Sequence, residues 1–259
     1  MKNRFIYYFN VKILRGISNY IIVYLIFFTY NFLVLRNMYT NHNIIFHELF
    51  YWHMGNSLQL TLFHSVFILM LLHKMVTDNN YDIHFVMRCN NRKNLFLIKV
   101  TSSIIISISC ILTSVLISLI QSISLSHHKF EWTDFTKYIY SSIYNENLKL
   151  EDFLMPFLIN LFFYFTVLNL IMLTLNQIFK QKYLAVIIMI LLCLLNYSSF
   201  LSKLNDIAKY TMLGNVIIGY NDNKLNDSVN ILYWVLLIFI LTFIYYLSLK
   251  KTDIKEYHT

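Results

Sequence analysis

Histidine, carboxylate and hydroxyl groups are the side chains here that could do chemistry, and their spacing supports little catalysis. His47-Glu48 lacks a second histidine at the helical spacing that sets two imidazoles on one face for zinc, so the metalloprotease pattern fails. His42, His47 and His53 share one short segment with Glu48 but with no further carboxylate pattern, and they read as interfacial histidines. His127-His128, beside Lys129 and Glu131, reads as loop surface, while His64 falls deep in an apolar run and calls for a partner. With 4 Gly in the whole chain there is no loop to cradle a phosphate, so nucleotide hydrolysis by this polypeptide is not expected. No catalytic residue, metal site or cofactor is assigned to the chain.

Two other patterns carry more information. Ser103, Ser107, Cys110, Ser114, Ser118 and Gln121 recur at steps of three and four, forming one small, polar stripe along a helix. Such a stripe lets helix backbones approach closely. It serves intramolecular packing, a seam between two copies or one wall of a substrate path. Asn160, Tyr164, Asn169, Asn176 and Gln177 add amides and a phenol to a second apolar run, and amides in hydrocarbon must face protein or water. The other pattern is the stretch 78–99, DNNYDIHFVMRCNNRKNLFLIK. It is too charged to cross a bilayer, yet Phe85, Val86 and Met87 make it too apolar for a plain linker. It reads as a short interfacial helix offering an apolar face to a cytosolic partner, or as a re-entry loop whose charges fix orientation.

These patterns sit in a chain that is 58% hydrophobic and 13% charged, about half the charge of a soluble domain. One Pro and 4 Gly favour long helices over a loop-rich β fold. The expected class is an all-α membrane protein, a single domain over residues 1–259. Six runs have spanning length: 17–35, 57–76, 100–123, 153–179, 183–201 and 231–249. At 1.5 Å per residue, about 20 residues cross a hydrocarbon core of about 30 Å. Apart from Lys74 near an end, these runs contain no Lys, Arg, Asp or Glu. Pro156 falls in the first turn of the fourth run, where a missing N–H is tolerated. Residues 1–16, basic and aromatic, are expected to lie in the headgroup plane, and the first run follows as a retained span without a cleavable leader.

Charge then orients the bundle. The net charge of +8 is not a nucleic-acid footprint, because it follows topology. An even number of spans puts both termini on one side, and that side holds about two thirds of the 21 Lys and Arg, including Arg88, Arg92, Lys93 and Lys99. Most of the 13 Asp and Glu fall on the other. By the positive-inside rule the termini and the 78–99 loop are cytosolic, in the plasma membrane. Cys89, Cys110 and Cys193 have no evident extracellular partner, so no disulfide framework is expected. The semi-apolar segment TMLGNVIIGY, 211–220, is too short to span; it either dips into the outer leaflet or covers the bundle.

Three of these features together resemble the permease subunit of type-2 ABC exporters. The basic amphipathic N-terminus is similar to that family's elbow helix. In the first cytosolic loop, Asp78 or Asp82, Phe85-Val86, Asn91-Arg92 and Lys99 take the places of an acid, an apolar pair, an Arg pair and a Lys entering the third span. The ending LSLKKTDIKEY, with Lys250, Lys251, Asp253 and Ile254, matches the family's basic cluster followed by Asp-Ile. The chain lacks the family's glycine ahead of the Arg pair and its proline before the last span. The resemblance implies six spans and a coupling helix at 78–99, with Asp82, Phe85, Val86, Arg88, Arg92 and Lys99 facing a separate cytosolic ATPase that carries ATP and magnesium. It also implies a second permease copy or paralogue. Ser103, Ser107, Ser114, Ser118, Asn160 and Asn169 would line a translocation path or a dimer seam.

The composition, poor in Gly and Pro and rich in Asn, Ile, Lys and Tyr, suggests an AT-rich bacterial genome. Similar Gram-positive permeases export amphipathic or antimicrobial peptides and lipid-like compounds. The alternative is a stand-alone immunity or sensor protein that binds a peptide through its outer loops.

Overall fold

The computed structural model describes residues 17–42, 50, 60–61, 92–125, 150–179, 182–201, 211–216 and 228–251. Among these residues there are six helices and no strand. They are α1 (Ile17–His42), α2 (Arg92–Leu125), α3 (Leu150–Ile178), α4 (Lys182–Leu201), α5 (Met212–Val216) and α6 (Ser228–Lys251). Three are long and apolar enough to cross a membrane: Arg92–Leu125, Met155–Ile178 and Asn230–Lys250. The expected interfacial helix 1–16, almost all of the run 57–76 and the loop residues 78–91 lie outside the described residues.

Several boundaries differ from those read off hydropathy, for a simple reason. A helix continues as long as its backbone bonds do, whereas an apolar run stops at the first charge. α2 begins at Arg92, not Val100, so the last part of the 78–99 stretch is the first two turns of a helix 34 residues long. That helix extends about 51 Å and outreaches a hydrocarbon core of about 30 Å. α3 likewise begins at Leu150, which places Pro156 in the second turn rather than the first. The helix runs through it with only one backbone donor removed.

α3 is the hub. Phe157, Leu161, Tyr164, Phe165, Leu168 and Met172 are buried along it, and α2, α4, α5 and α6 all pack against it. Trp234 of α6, the largest fully buried side chain, stacks near Phe163 with ring centroids 6.4 Å apart. The Tyr164 hydroxyl donates to the Leu60 carbonyl at 3.4 Å, so Leu60 and Thr61, both buried, sit against the hub as well.

Apolar side chains fill the core and also cover much of the outer surface. On α2 the stripe Ser103, Ser107, Cys110, Ser114, Ser118 and Gln121 is buried, while Leu112, Leu116, Ile120 and Ile123 are exposed. On α6, Ile231, Leu232, Leu236, Phe239, Phe243 and Leu247 are exposed, and α4 shows Ile187, Leu191 and Leu195. In water this arrangement would be expelled; lipid is the solvent that accepts it. Nitroxides placed at Leu112 and Phe239 are expected to collide with oxygen far more than with a water-soluble nickel chelate, and one at Lys93 the reverse. Power-saturation EPR in bilayers checks this, and nickel access at 112 and 239 would count against a lipid-facing surface.

Candidate functional site: a buried polar seam and its two ends

Polar groups in an apolar bundle have two ways to be satisfied, and this chain separates them by residue type. Hydroxyls can bond their own helix: Thr101, Ser109 and Thr113 donate to the carbonyls of Leu97, Ile105 and Ser109 at 2.7, 2.9 and 2.6 Å. They need no neighbour and sit towards the outer face. A primary amide carries two donors and an acceptor, more than its own helix can satisfy, so most of the amides here reach across to other elements.

Asn169 of α3 is the clearest case. It is fully buried, and its Nδ2 donates to Ser107 Oγ at 2.7 Å and to the Ser103 carbonyl at 3.2 Å. Small serines on α2 make room for that contact. Near the other end of the same stripe, Gln121 Nε2 donates to the Phe28 carbonyl of α1 at 2.7 Å. Asn176, also expected to face inward, instead returns to its own helix at the Met172 carbonyl, 2.9 Å away.

Of the residues expected to line a path or a seam between copies, Ser103, Ser107, Ser114, Ser118, Asn160 and Asn169 are all buried within one chain. The structure brings Ser103, Ser107 and Asn169 together and sets Asn160 in a separate cluster. Ser103, Ser107 and Asn169 form a buried polar contact between α2 and α3.

The Asn160 cluster lies where α3, α4, α5 and α6 meet. Asn230 Nδ2 of α6 donates to the Asn215 carbonyl at 3.1 Å and to Asn160 Oδ1 at 3.4 Å. Asn196 Oδ1 of α4 accepts from the backbone N–H groups of Met212 and Leu213, at 3.1 and 3.5 Å, and Thr211 Oγ1 accepts from Gly214 N at 3.0 Å. These capping bonds satisfy the first donors of α5. All but the first of its residues are buried, so 212–216 is held inside the bundle end by asparagines of its neighbours. Sequence reading missed Asn196, Asn215 and Asn230. An amide placed inside or beside an apolar run was the available signal.

The opposite end is cationic. Arg92 Nη1 donates to the Lys250 carbonyl at 2.8 Å, tying the first turn of α2 to the last turn of α6. Phe96 packs on Tyr245 and Tyr246 at 5.8 and 5.4 Å, and Lys250 Nζ lies 5.0 Å from the Tyr246 ring centre. These pairings put Arg92, Lys93, Lys250 and Lys251 at one end of the bundle. Lys182 joins them, because α4 starts where α3 finishes. Of the residues expected to face an ATPase, Arg92 and Lys99 lie on α2, while Asp82, Phe85, Val86 and Arg88 lie outside the described residues.

Nothing in this arrangement is a nucleophile–base pair, and among the described residues no three His, Cys, Asp or Glu converge on a point. The seam can hold helices in register and offer hydrogen bonds. Comparison with known protein families, curated proteins and solved structures returned no match. Asn169→Leu, which removes the bonds to α2, is expected to cost about 0.6–1.7 kcal/mol in the membrane. Asn196→Ala, which uncaps α5, should cost about 1 kcal/mol. Thermal unfolding in nanodiscs measures both, with Ser198→Ala at an exposed site of α4 as the neutral comparison.

Proposed function

We propose that this chain is the membrane-spanning permease subunit of an ATP-driven transporter of the type-2 ABC exporter kind. In this reading six spans form the bundle, both termini are cytosolic, and a separate ATPase supplies the energy through the 78–99 segment. A second permease, identical or related, completes the assembly in the plasma membrane. The cargo is an amphipathic peptide or a lipid-like or antimicrobial compound.

The observation that carries the reading is the Arg92 bond to the Lys250 carbonyl. A push on the 78–99 segment by a cytosolic partner would reach α2 directly and α6 through that bond, so two helices move together. The cationic end that holds it suits the cytosolic side. The interior seam of serines and amides favours a bundle that rearranges, since hydrogen bonds between small side chains can be exchanged there. Chemistry stays with the partner: nucleotide binds there, and this chain contributes movement and a path.

The reading predicts co-purification with a cytosolic ATPase. Phe85→Asp combined with Val86→Asp is expected to abolish ATP-stimulated export while leaving membrane levels intact. Arg92→Gln should reduce export several-fold, whereas Lys93→Gln, on an exposed side chain beside it, should change it little. Reconstituted vesicles with the neighbouring ATPase provide the assay. Full activity in the Phe85/Val86 variant would remove the coupling role, and a function retained with no ATPase present would favour the immunity or sensor reading.

A further inference from the structure

The buried hydroxyls of α2 do not all behave alike. Ser102, Ser107 and Ser118 each donate to the carbonyl four residues back, at 2.8, 3.0 and 2.7 Å. Ser103 is just as deeply buried, at 1% exposure, yet its Oγ has no hydrogen-bond partner among the described residues. Asn169 lies against the same residue. Its Nδ2 points at the Ser103 carbonyl, an atom that can only accept, which fixes the amide nitrogen towards α2 and turns Oδ1 away from that acceptor. Asn169 Oδ1, at 0% exposure, also has no donor among the described residues. One joint between two helices thus holds a hydroxyl and an amide oxygen, both closed off from bulk solvent and both without a partner among the described residues.

We propose that the Ser103–Asn169 joint binds buried water, donating a hydrogen bond to Asn169 Oδ1 and exchanging one with Ser103 Oγ. An amide oxygen abandoned in an apolar interior is expensive, and ordered water is the usual remedy. The chemistry of the joint selects it. The ligand must be small, able to donate to an amide oxygen and able to pair with a hydroxyl. It must also carry no charge, since the Asn169 Nδ2 hydrogens repel a cation and no acid of the described residues is present to offset one. Water meets each condition. α2 and the hub then meet at this level through an exchangeable partner, so α2 can shift against α3 by trading protein hydrogen bonds for water ones. This inference stands whether or not the chain is a transporter.

Radiolytic footprinting of the full chain in nanodiscs tests it, because hydroxyl radicals made from a bound water oxidise side chains beside it even where bulk solvent does not reach. Met172, three residues beyond Asn169 on α3, and Met189 on α4 are both fully buried, which makes them a matched pair. Met172 is expected to oxidise several-fold faster than Met189. Ser103→Ala leaves the Asn169 Nδ2 bonds in place and should slow Met172 while leaving Met189 unchanged. Ser103→Ala with Asn169→Leu should bring the two methionines to the same rate. Equal slow oxidation in the unaltered chain, or a Met172 rate indifferent to Ser103→Ala, would overturn the proposal. An unchanged tryptophan emission spectrum shows that a variant has kept its fold.

Discussion

Asn169 reaching across to Ser103 and Ser107 expresses the constraint on which the bundle depends: an amide surrounded by hydrocarbon must be paired, and its own helix can satisfy only part of it. A hydroxyl escapes this demand by folding back on its own helix, as Thr101, Ser109 and Thr113 do. The serine stripe exists beside Asn169 because larger side chains on α2 would keep the amide from the backbone it bonds. Packing and polarity are therefore one requirement at this contact, met by Ser103 and Ser107 on the buried face of α2 and by Ile108, Leu112 and Leu116 on the exposed one.

The same constraint explains the two ends. Helix termini leave backbone groups unpaired, and each end of this bundle settles them with side chains from a different element. Asn196 supplies an acceptor for the first N–H groups of α5, and Asn230 donates to a carbonyl near its finish. At the cationic end, a guanidinium donates to a carbonyl in the last turn of α6, where a cation also complements the helix dipole. A buried five-residue helix would otherwise bring several unsatisfied groups into the interior, which is why its neighbours are asparagines.

The hub meets its neighbours through two kinds of contact. α3 meets α6 through aromatic packing of Trp234 and Phe163, and meets α2 through the Asn169 bonds to Ser103 and Ser107, in a core that also takes Leu95, Ile98 and Ile106 from α2. Large interlocked rings resist sliding, whereas small residues linked by hydrogen bonds can re-pair. The first turn of α2 is in turn tied to the end of α6, and the proposed transporter function rests on that tie.

Much of this was legible in the residues. Composition and the absence of charge from long apolar runs settled the helical class, and the three-and-four spacing of Ser103 to Gln121 identified the face that is buried. Asn169 announced itself because an amide in an apolar run must face protein or water. Three things required the tertiary structure: that Asn169 meets Ser103 and Ser107 of α2, that Asn196 and Asn230 serve α5, and that Arg92 bonds α6. Periodicity reports which side of a helix is polar, because that depends only on neighbours three and four residues away. It carries no information about which helix lies opposite, since Arg92 and Lys250, or Asn160 and Asn230, are brought together only when the whole chain packs.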